Sequence, residues 1–220
     1  MPVDLRLYAI VDPEHAGGRA LPELAKLVAA GGATLVQLRD KRSDTRVMVD
    51  TARAVKAALA PFGVPLLIND RVDVALAAGA DGVHVGQTDM APDDARRLLG
   101  PKAIIGLSIK STALADAAPL DLLDYVGIGG VYATTSKDNP NPPIGVEGLR
   151  RIVDVFRRRD PKFPTCAIAG ITAANAGATI AAGADGVSVI SALSLANDPS
   201  AAAKALRAVV DEALAAWKRP

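Results

Sequence analysis

The sequence predicts an α/β fold in which eight βα units close into one barrel, and three observations support this. Short β-rich runs alternate with longer alanine-rich stretches whose apolar residues recur three and four positions apart, the pattern of strand and amphipathic helix in repeated βα units. Most of the short runs lack period-2 alternation, as parallel strands covered on both faces do. The heptapeptide Ala-Ala-Gly-Ala-Asp-Gly-Val stands at 77–83 and again at 181–187, entering the fourth and eighth runs half a barrel apart. A chain of 220 residues lies at the short end for a (β/α)8 TIM barrel, and a doubly wound open sheet is the competitor; the repeat favours closure.

A strand over 7–11 leads to a helical pattern over 21–30 that stops at Gly31. The strand 34–38 precedes a helix over 44–60 with Ser43 at the cap position, and the strand 65–68 precedes a helix over 72–78 that stops at Gly79. After the strand 82–85, Pro92 suits the first turn of a helix over 92–99, which Gly100 ends. The strand 103–107 is followed by a helix over 111–117, and the strand 125–128 by a helix over 146–158. Thr172 stands where a cap belongs, between the strand 165–168 and a helix over 173–182 stopped by Gly183. The strand 186–190 leads to a last helix over 199–217. Asp81 and Asp185, in the two copies of the repeat, precede their strands at the barrel face that serves stability, so a structural role is expected of both.

Half of the 220 residues are hydrophobic and no long Pro- or Ser-rich stretch interrupts them, which fits a single domain over 1–220 with a sizeable core. Lys plus Arg is 25 and Asp plus Glu is 24, so no global field recruits nucleic acid or an anionic membrane, and an anionic ligand must be met by local groups. Arg157, Arg158 and Arg159 end a helix, where cations suit the dipole. Cys166 is the sole cysteine, which excludes an internal disulfide and a cysteine zinc cage and points to the cytoplasm. Residues 1–6 include Asp4 and Arg6 and lack the apolar segment of a secretory signal, and no apolar run reaches the ~18 residues of a membrane span.

Catalytic groups of such barrels lie at the carboxyl ends of the strands, so polar residues just beyond the apolar runs are the informative ones. Gln37, Arg39 and Lys41 alternate at the end of the second strand. If the strand continues, they face the mouth together and can grip a diphosphate, Arg39 as a planar fork, Lys41 as a point charge and Gln37 as a neutral donor. The competing reading is a solvated charged turn, and Asp40 and Arg42 face outward on the same pattern. Asp70 and Asp89 follow the third and fourth strands; two carboxylates beside a cationic grip suit Mg2+ bridging protein and diphosphate, and each alone suits a helix cap. Gly170, and Ile190 with Ser191, follow the seventh and eighth strands and offer backbone N–H groups where barrels commonly hold a phosphate; Gly170 equally suits a plain turn. The stiff segment 134–143 reads as a lid or ligand loop, or as a surface excursion. His84 reads as a packed core histidine and Cys166 as buried and inert, while His15, in a polar loop, stays unassigned.

Five ordered segments resemble the thiamine-phosphate synthase family over nearly the whole chain: Gln37-Leu38-Arg39-Asp40-Lys41, Ile68-Asn69-Asp70, the stretch from Asp81 to Asp89, Thr134-Thr135-Ser136-Lys137 and Ile190-Ser191. The resemblance implies that Gln37, Leu38, Arg39, Asp40, Lys41, Asn69, Ser108 and Lys137 bind an aminopyrimidine diphosphate and that Asp70 and Asp89 hold Mg2+. It further implies that Thr134, Thr135, Ser136, Gly170, Ile190 and Ser191 bind a thiazole phosphate. In the implied reaction pyrophosphate departs, leaving a pyrimidine-methyl cation that the thiazole nitrogen attacks to give thiamine phosphate. Such chemistry needs charge stabilisation rather than a nucleophile, in keeping with the lack of a Ser-His-Asp or Cys-His set. The implied partners are small-molecule substrates, without nucleic acid or membrane, and a homo-oligomer is compatible with the family.

The chain departs from the family pattern at four places: Ser136 stands where Thr is usual, Ala133 and Gly130 where Pro is usual, and Ala169 where a second Gly is usual. Serine keeps the hydroxyl, the lost prolines loosen the sixth-strand loop, and Ala169 crowds the phosphate site. Rival functions are a thiazole tautomerase on the same barrel, an aldolase with a Schiff base on Lys41 or Lys137, and a non-catalytic thiazole-phosphate sensor. Gln37, Arg39, Lys41, Asn69, Asp70 and Asp89, all present together, favour the synthase.

Overall fold

The computed structural model describes residues 3–136 and 142–217. Eight parallel strands pair in chain order: β1 (Leu7–Val11), β2 (Leu35–Leu38), β3 (Leu66–Asn69), β4 (Gly82–Val85), β5 (Ile104–Ile109), β6 (Tyr125–Ile128), β7 (Thr165–Ile168) and β8 (Gly186–Val189). Tyr8 of β1 then pairs with Ser188 of β8, closing the barrel and removing both edges, so the open sheet is excluded. Around it lie α1 (Leu21–Ala30), α2 (Thr45–Leu59), α3 (Val72–Ala78), α4 (Pro92–Leu99), α5 (Thr112–Ala117), α6 (Gly145–Arg159), α7 (Ala176–Ala181), a one-turn α8 (Ser191–Ser194) and α9 (Pro199–Ala216).

All eight expected strands and the eight longer helices are present, with ends shifted by a few residues. The one-turn α8 and the 3-10 turns Pro13–His15, Ala60–Phe62 and Leu120–Leu122 were not foreseen, because so short an element has no periodicity to read. Gly31, Gly79 and Gly100 cap their helices as expected. Two expected caps are corrected. Asp44, not Ser43, is the N-cap of α2 and makes no side-chain cap bond, and α7 starts after Asn175, while Thr172 takes part through its main chain alone, its carbonyl accepting from Ala176 N–H at 3.0 Å and its N–H donating to Asn175 Oδ1 at 2.8 Å.

Strand side chains alternate in direction between two packed clusters, with no strict alternation of polarity. Outward residues such as Leu7, Val36, Leu38, Val83, Val85, Ile105, Leu107 and Val187 join the inner faces of the helices in one continuous core. Inward residues Tyr8, Leu35, Leu67, Tyr125 and Cys166, with Leu5 below β1, form a second cluster inside the bore. Glycines opposite the large rings make the room: a Cβ at Gly106 would overlap the Tyr125 ring, and one at Gly127 would lie 3.0 Å from His84 Cε1. Apolar side chains thus fill the amino-terminal part of the bore, and space remains at the carboxyl ends.

A clamp recurs at the amino-terminal face on every second strand. Asp81, before β4, accepts from the Leu66 N–H of β3 at 2.8 Å and from Lys56 of α2 at 3.0 Å. Asp124, before β6, accepts from the Ile105 N–H of β5 at 2.8 Å and from Arg96 of α4 at 2.8 Å. Asp185, before β8, accepts from the Thr165 N–H of β7 at 2.8 Å and from Arg157 of α6 at 2.7 Å. Before β2 a hydroxyl takes the same place: Thr34 Oγ1 accepts from the Leu7 N–H at 3.1 Å, and Arg207 of α9 donates to Gly32 O at 2.9 Å. The structural role expected of Asp81 and Asp185 is the one their geometry shows.

Candidate active site

A cavity of about 440 Å3 opens at the carboxyl ends of the strands. Gln37, Arg39 and Lys41 all line it, although β2 ends at Leu38, because the ladder carries on with Arg39 N–H donating to Val11 O at 2.9 Å. Arg39 is held by Asp12, a carboxylate 1% exposed at the end of β1 that also accepts from Glu14 N–H at 2.8 Å. Lys41 pairs with Asp70, whose backbone is left-handed at φ 61°.

Asp70 and Asp89 both line the cavity and neither caps a helix: the N-caps of α3 and α4 are Arg71 and Ala91, without side-chain cap bonds. Asp89 accepts from Gly86 N–H at 2.8 Å. Burial, together with the neighbouring Asp70 carboxylate, raises the Asp89 pKa above its ordinary value, against the pull of Gly86 N–H and Lys41. Such crowded carboxylates are what a divalent cation relieves. Two carboxylates beside the Lys41 ammonium are oxygen donors of the kind that hard divalent cations take.

The cavity floor is a chain of hydrogen bonds across the bore. Gln37, buried, donates from Nε2 to the Tyr8 hydroxyl, and that oxygen lies 2.9 Å from the Tyr125 hydroxyl. Tyr125 Oη lies 2.8 Å from His84 Nδ1, and His84 Nε2 lies 2.9 Å from Ser108 Oγ. His84 is therefore a wall of the site, which corrects its expected place as a packed core residue. Burial raises the pKa of both tyrosines and of the Cys166 thiol, so all three are neutral at physiological pH, and the inert cysteine expected from the sequence is what the bore contains.

Across the mouth, Thr134, Ser136, Gly170, Ile190 and Ser191 line the cavity, with Ser136 Oγ donating to Ser191 Oγ at 3.0 Å. Ala169 and Gly170 are both left-handed, at φ 84° and 65°, and a Cβ at Gly170 would overlap Ala133 O. Ser188 Oγ, also lining the cavity, is buried without a hydrogen-bond partner among the described residues. Asn69 and Ser108 complete the lining from β3 and β5.

Three expected site residues do not line the cavity. Leu38 points into the core behind the barrel, Thr135 is exposed, and the Asp40 carboxylate turns back to accept from Ser43 N–H at 2.9 Å and Arg42 N–H at 3.0 Å. Those bonds outweigh burial and lower the Asp40 pKa below its ordinary value. Lys137, and most of the segment expected to form a lid, lie outside the described residues. Conversely Tyr8, Asp12, Tyr125 and Ser188 were missed. The signal was there in part, since Tyr8, Gln37, Asn69, His84, Ser108 and Ser188 all occupy inward strand positions and none is aliphatic.

Comparison with known proteins agrees with this architecture. The family described as thiamine monophosphate synthase matches residues 7–193. The thiamine-phosphate synthase of Agrobacterium fabrum is 50% identical over 214 residues, covering 97% of this chain and 97% of that protein. That of Albidiferax ferrireducens is 47% identical over 208 residues, covering 94% of this chain and 92% of its own length. Among solved structures, the thiamine phosphate pyrophosphorylase of Pyrococcus furiosus superposes with a TM-score of 0.83 at 36% identity, over 96% of this chain and 98% of that one. With a family match across the barrel and half of all positions shared with a full-length relative, this chain belongs to the thiamine monophosphate synthase family.

Proposed function

We propose that this chain, as one barrel domain in the cytoplasm, is a thiamine-phosphate synthase. It transfers the aminopyrimidine-methyl group of 4-amino-2-methyl-5-(diphosphooxymethyl)pyrimidine to thiazole phosphate, giving thiamine phosphate and pyrophosphate. The observation that carries this is a single cavity with a cationic grip, a carboxylate pair and polar ring-facing groups on β2 to β5, and a hydroxyl- and glycine-lined wall on β6 to β8.

In this reading Arg39, braced by Asp12, and Lys41 hold the diphosphate, while Gln37, Asn69 and Ser108 take the pyrimidine. Lys137 adds a third cation. Leu38, Asp40 and Thr135 serve through their main chain and by fixing their loops. Thr134, Ser136, Gly170, Ile190 and Ser191 take the thiazole phosphate. Asp70 and Asp89 hold Mg2+, which supplies neutralising charge for the departing diphosphate. The bond between the methylene carbon and the diphosphate oxygen breaks, its electron pair leaving with pyrophosphate, and the thiazole nitrogen lone pair forms the new C–N bond. No proton has to be removed, so the site needs no base. Arg39 and Lys41 act by meeting negative charge as it grows, and Lys41 exchanges its Asp70 partner for the diphosphate.

The test is to incubate the purified protein with both substrates and Mg2+ and to follow thiamine phosphate and pyrophosphate with and without a chelator. Chelator-sensitive formation of both products is expected. Binding of both substrates without product would favour the sensor, and metal-independent proton exchange on a carboxylated thiazole phosphate would favour the tautomerase. Asp70→Ala and Lys41→Ala should each lower kcat/KM by ~100-fold or more with little change in thermal midpoint. Wild-type kinetics in either variant would overturn the site assignment.

A further inference from the structure

The hydrogen-bonded floor joins two residues assigned above to the pyrimidine, Gln37 and Ser108, through three residues that the reaction itself does not use. Tyr8 and Tyr125 are buried in the bore, their rings set edge to face at 5.8 Å, and His84 lies 5.5 Å from the Tyr125 ring centre. Each link has a donor and an acceptor, and the chemistry of the groups ties their directions together. Gln37 Nε2 donates to Tyr8 Oη. With Gln37 Nε2 as the donor at that end, Tyr125 Oη at 2.9 Å is the acceptor open to the Tyr8 proton, a buried hydroxyl proton without an acceptor being rare. His84 Nδ1 at 2.8 Å is then the acceptor open to Tyr125 Oη–H, and it accepts only on a neutral ring whose hydrogen is on Nε2. That Nε2–H donates to Ser108 Oγ at 2.9 Å, which leaves the Ser108 hydroxyl hydrogen for a ligand.

We propose that this chain is polarised in that one direction and acts as a specificity filter, with Tyr8, Tyr125 and His84 as positioning residues that present Gln37 Oε1 as an acceptor and Ser108 Oγ–H as a donor to the cavity. The complementary ligand is an aminopyrimidine that gives an amino N–H to Gln37 Oε1 on the β2 side and a ring nitrogen to Ser108 Oγ–H on the β5 side. An oxo group in place of the amino group sets acceptor against acceptor at Gln37 Oε1. The inference rests on the pyrimidine-binding reading and adds which heterocycle is admitted and which residues enforce it. Gly106 and Gly127 belong to the same device, since side chains there would displace the Tyr125 and His84 rings.

The first test is the His84 tautomer, read from the 15N shifts of the full-length protein at neutral pH, where His15 is the only other histidine. The Nε2–H form is expected, and the Nδ1–H form or a charged ring would overturn the polarity. The second is calorimetric binding of 4-amino-2-methyl-5-hydroxymethylpyrimidine and its 4-oxo counterpart. Wild-type protein should prefer the amino compound by about tenfold or more, and Tyr125→Phe, which keeps the ring and cuts the chain, should reduce the preference to about threefold or less. Tyr8→Phe is the parallel variant should the first fail to fold. An unchanged preference in a folded variant would overturn the filter alone, whereas a wild-type protein that binds neither compound would overturn the pyrimidine reading and the filter with it.

Discussion

Asp89 is the cavity residue with the clearest electrostatic mark. Its pKa is raised from 3.8 by burial and by the neighbouring Asp70, so folding favours its protonated form. The corresponding stabilisation is present below pH 3.8 and is lost as the pH rises through the folded value, above which the ionised pair works against the fold. Asp89→Asn keeps an acceptor for Gly86 N–H and removes the repulsion. It should therefore raise stability at pH 7 by at most about 0.5 kcal/mol, since a carboxylate only partly withdrawn from water is well screened, with the gain fading by pH 3.5 in urea titrations; metal-dependent activity should fall sharply. Ala169 carries strain of a different kind, a Cβ in the left-handed region at φ 84° where glycine would sit freely. An L-residue there costs roughly 1–2 kcal/mol, partly offset by the 0.4–1 kcal/mol that glycine adds to the freedom of the unfolded chain. Ala169→Gly should thus stabilise the protein by about 0.5–1 kcal/mol in urea unfolding, and loss of stability would show that neighbouring contacts outweigh the strain. The sequence put the two carboxylates at neighbouring strand ends and Ala169 where a glycine is usual, but the raised pKa and the left-handed φ were not legible there, because both are products of closure.

The helices divide by how well their ends could be read. Pro92 and the glycines after α1, α3 and α4 stand where fixed φ or a missing Cβ is required, so the residue type alone placed them. Caps were harder, since Ser, Thr, Asp and Asn cluster at helix starts and only geometry shows which oxygen reaches an N–H. Ser43 looked like the cap of α2, yet its N–H donates to Asp40 and the helix begins at Asp44 without a side-chain cap. At α9 the Asp198 carboxylate does accept from Ala201 N–H at 3.0 Å with Pro199 in the first turn, and α9 packs on α1, α7 and β1, where the first and last units meet. Asp198→Ala should therefore cost about 1 kcal/mol in denaturant unfolding, while Ser43→Ala should stay within about 0.5 kcal/mol. Equal losses would mean that the two starts are capped alike.

Across the barrel, function and stability are separated end from end, and the sequence showed more of this division than of any one contact. The repeated heptapeptide fixed two of the four clamps, at Asp81 and Asp185, whereas Asp124 and Thr34 share the role without sharing the motif and became recognisable only once β5 and β1 supplied their N–H groups. At the opposite face the polar residues at strand ends were legible individually, but the hydrogen-bonded floor was not, because Tyr8, His84 and Tyr125 meet only when β1, β4 and β6 curve around a common axis. The clamps are not equivalent in energy. The Asp185–Arg157 pair is mostly buried, with side chains 15% and 18% exposed, and Asp185 also takes the Thr165 N–H and hydroxyl. The Asp81–Lys56 pair is 38% and 40% exposed, so water can replace much of what a substitution removes. Asp185→Ala takes the counter-charge from a largely buried guanidinium, which keeps its bonds to Phe163 O and Gly183 O, and leaves a strand N–H unpaired, so it should cost about 3 kcal/mol, whereas Asp81→Ala should cost about 1 kcal/mol. Both positions lie at the far end of the bore from the cavity, so the surviving folded fraction of each variant should keep the parent kcat/KM. A specific activity that fell in step with stability would show that the clamps hold the mouth in shape as well as the barrel closed.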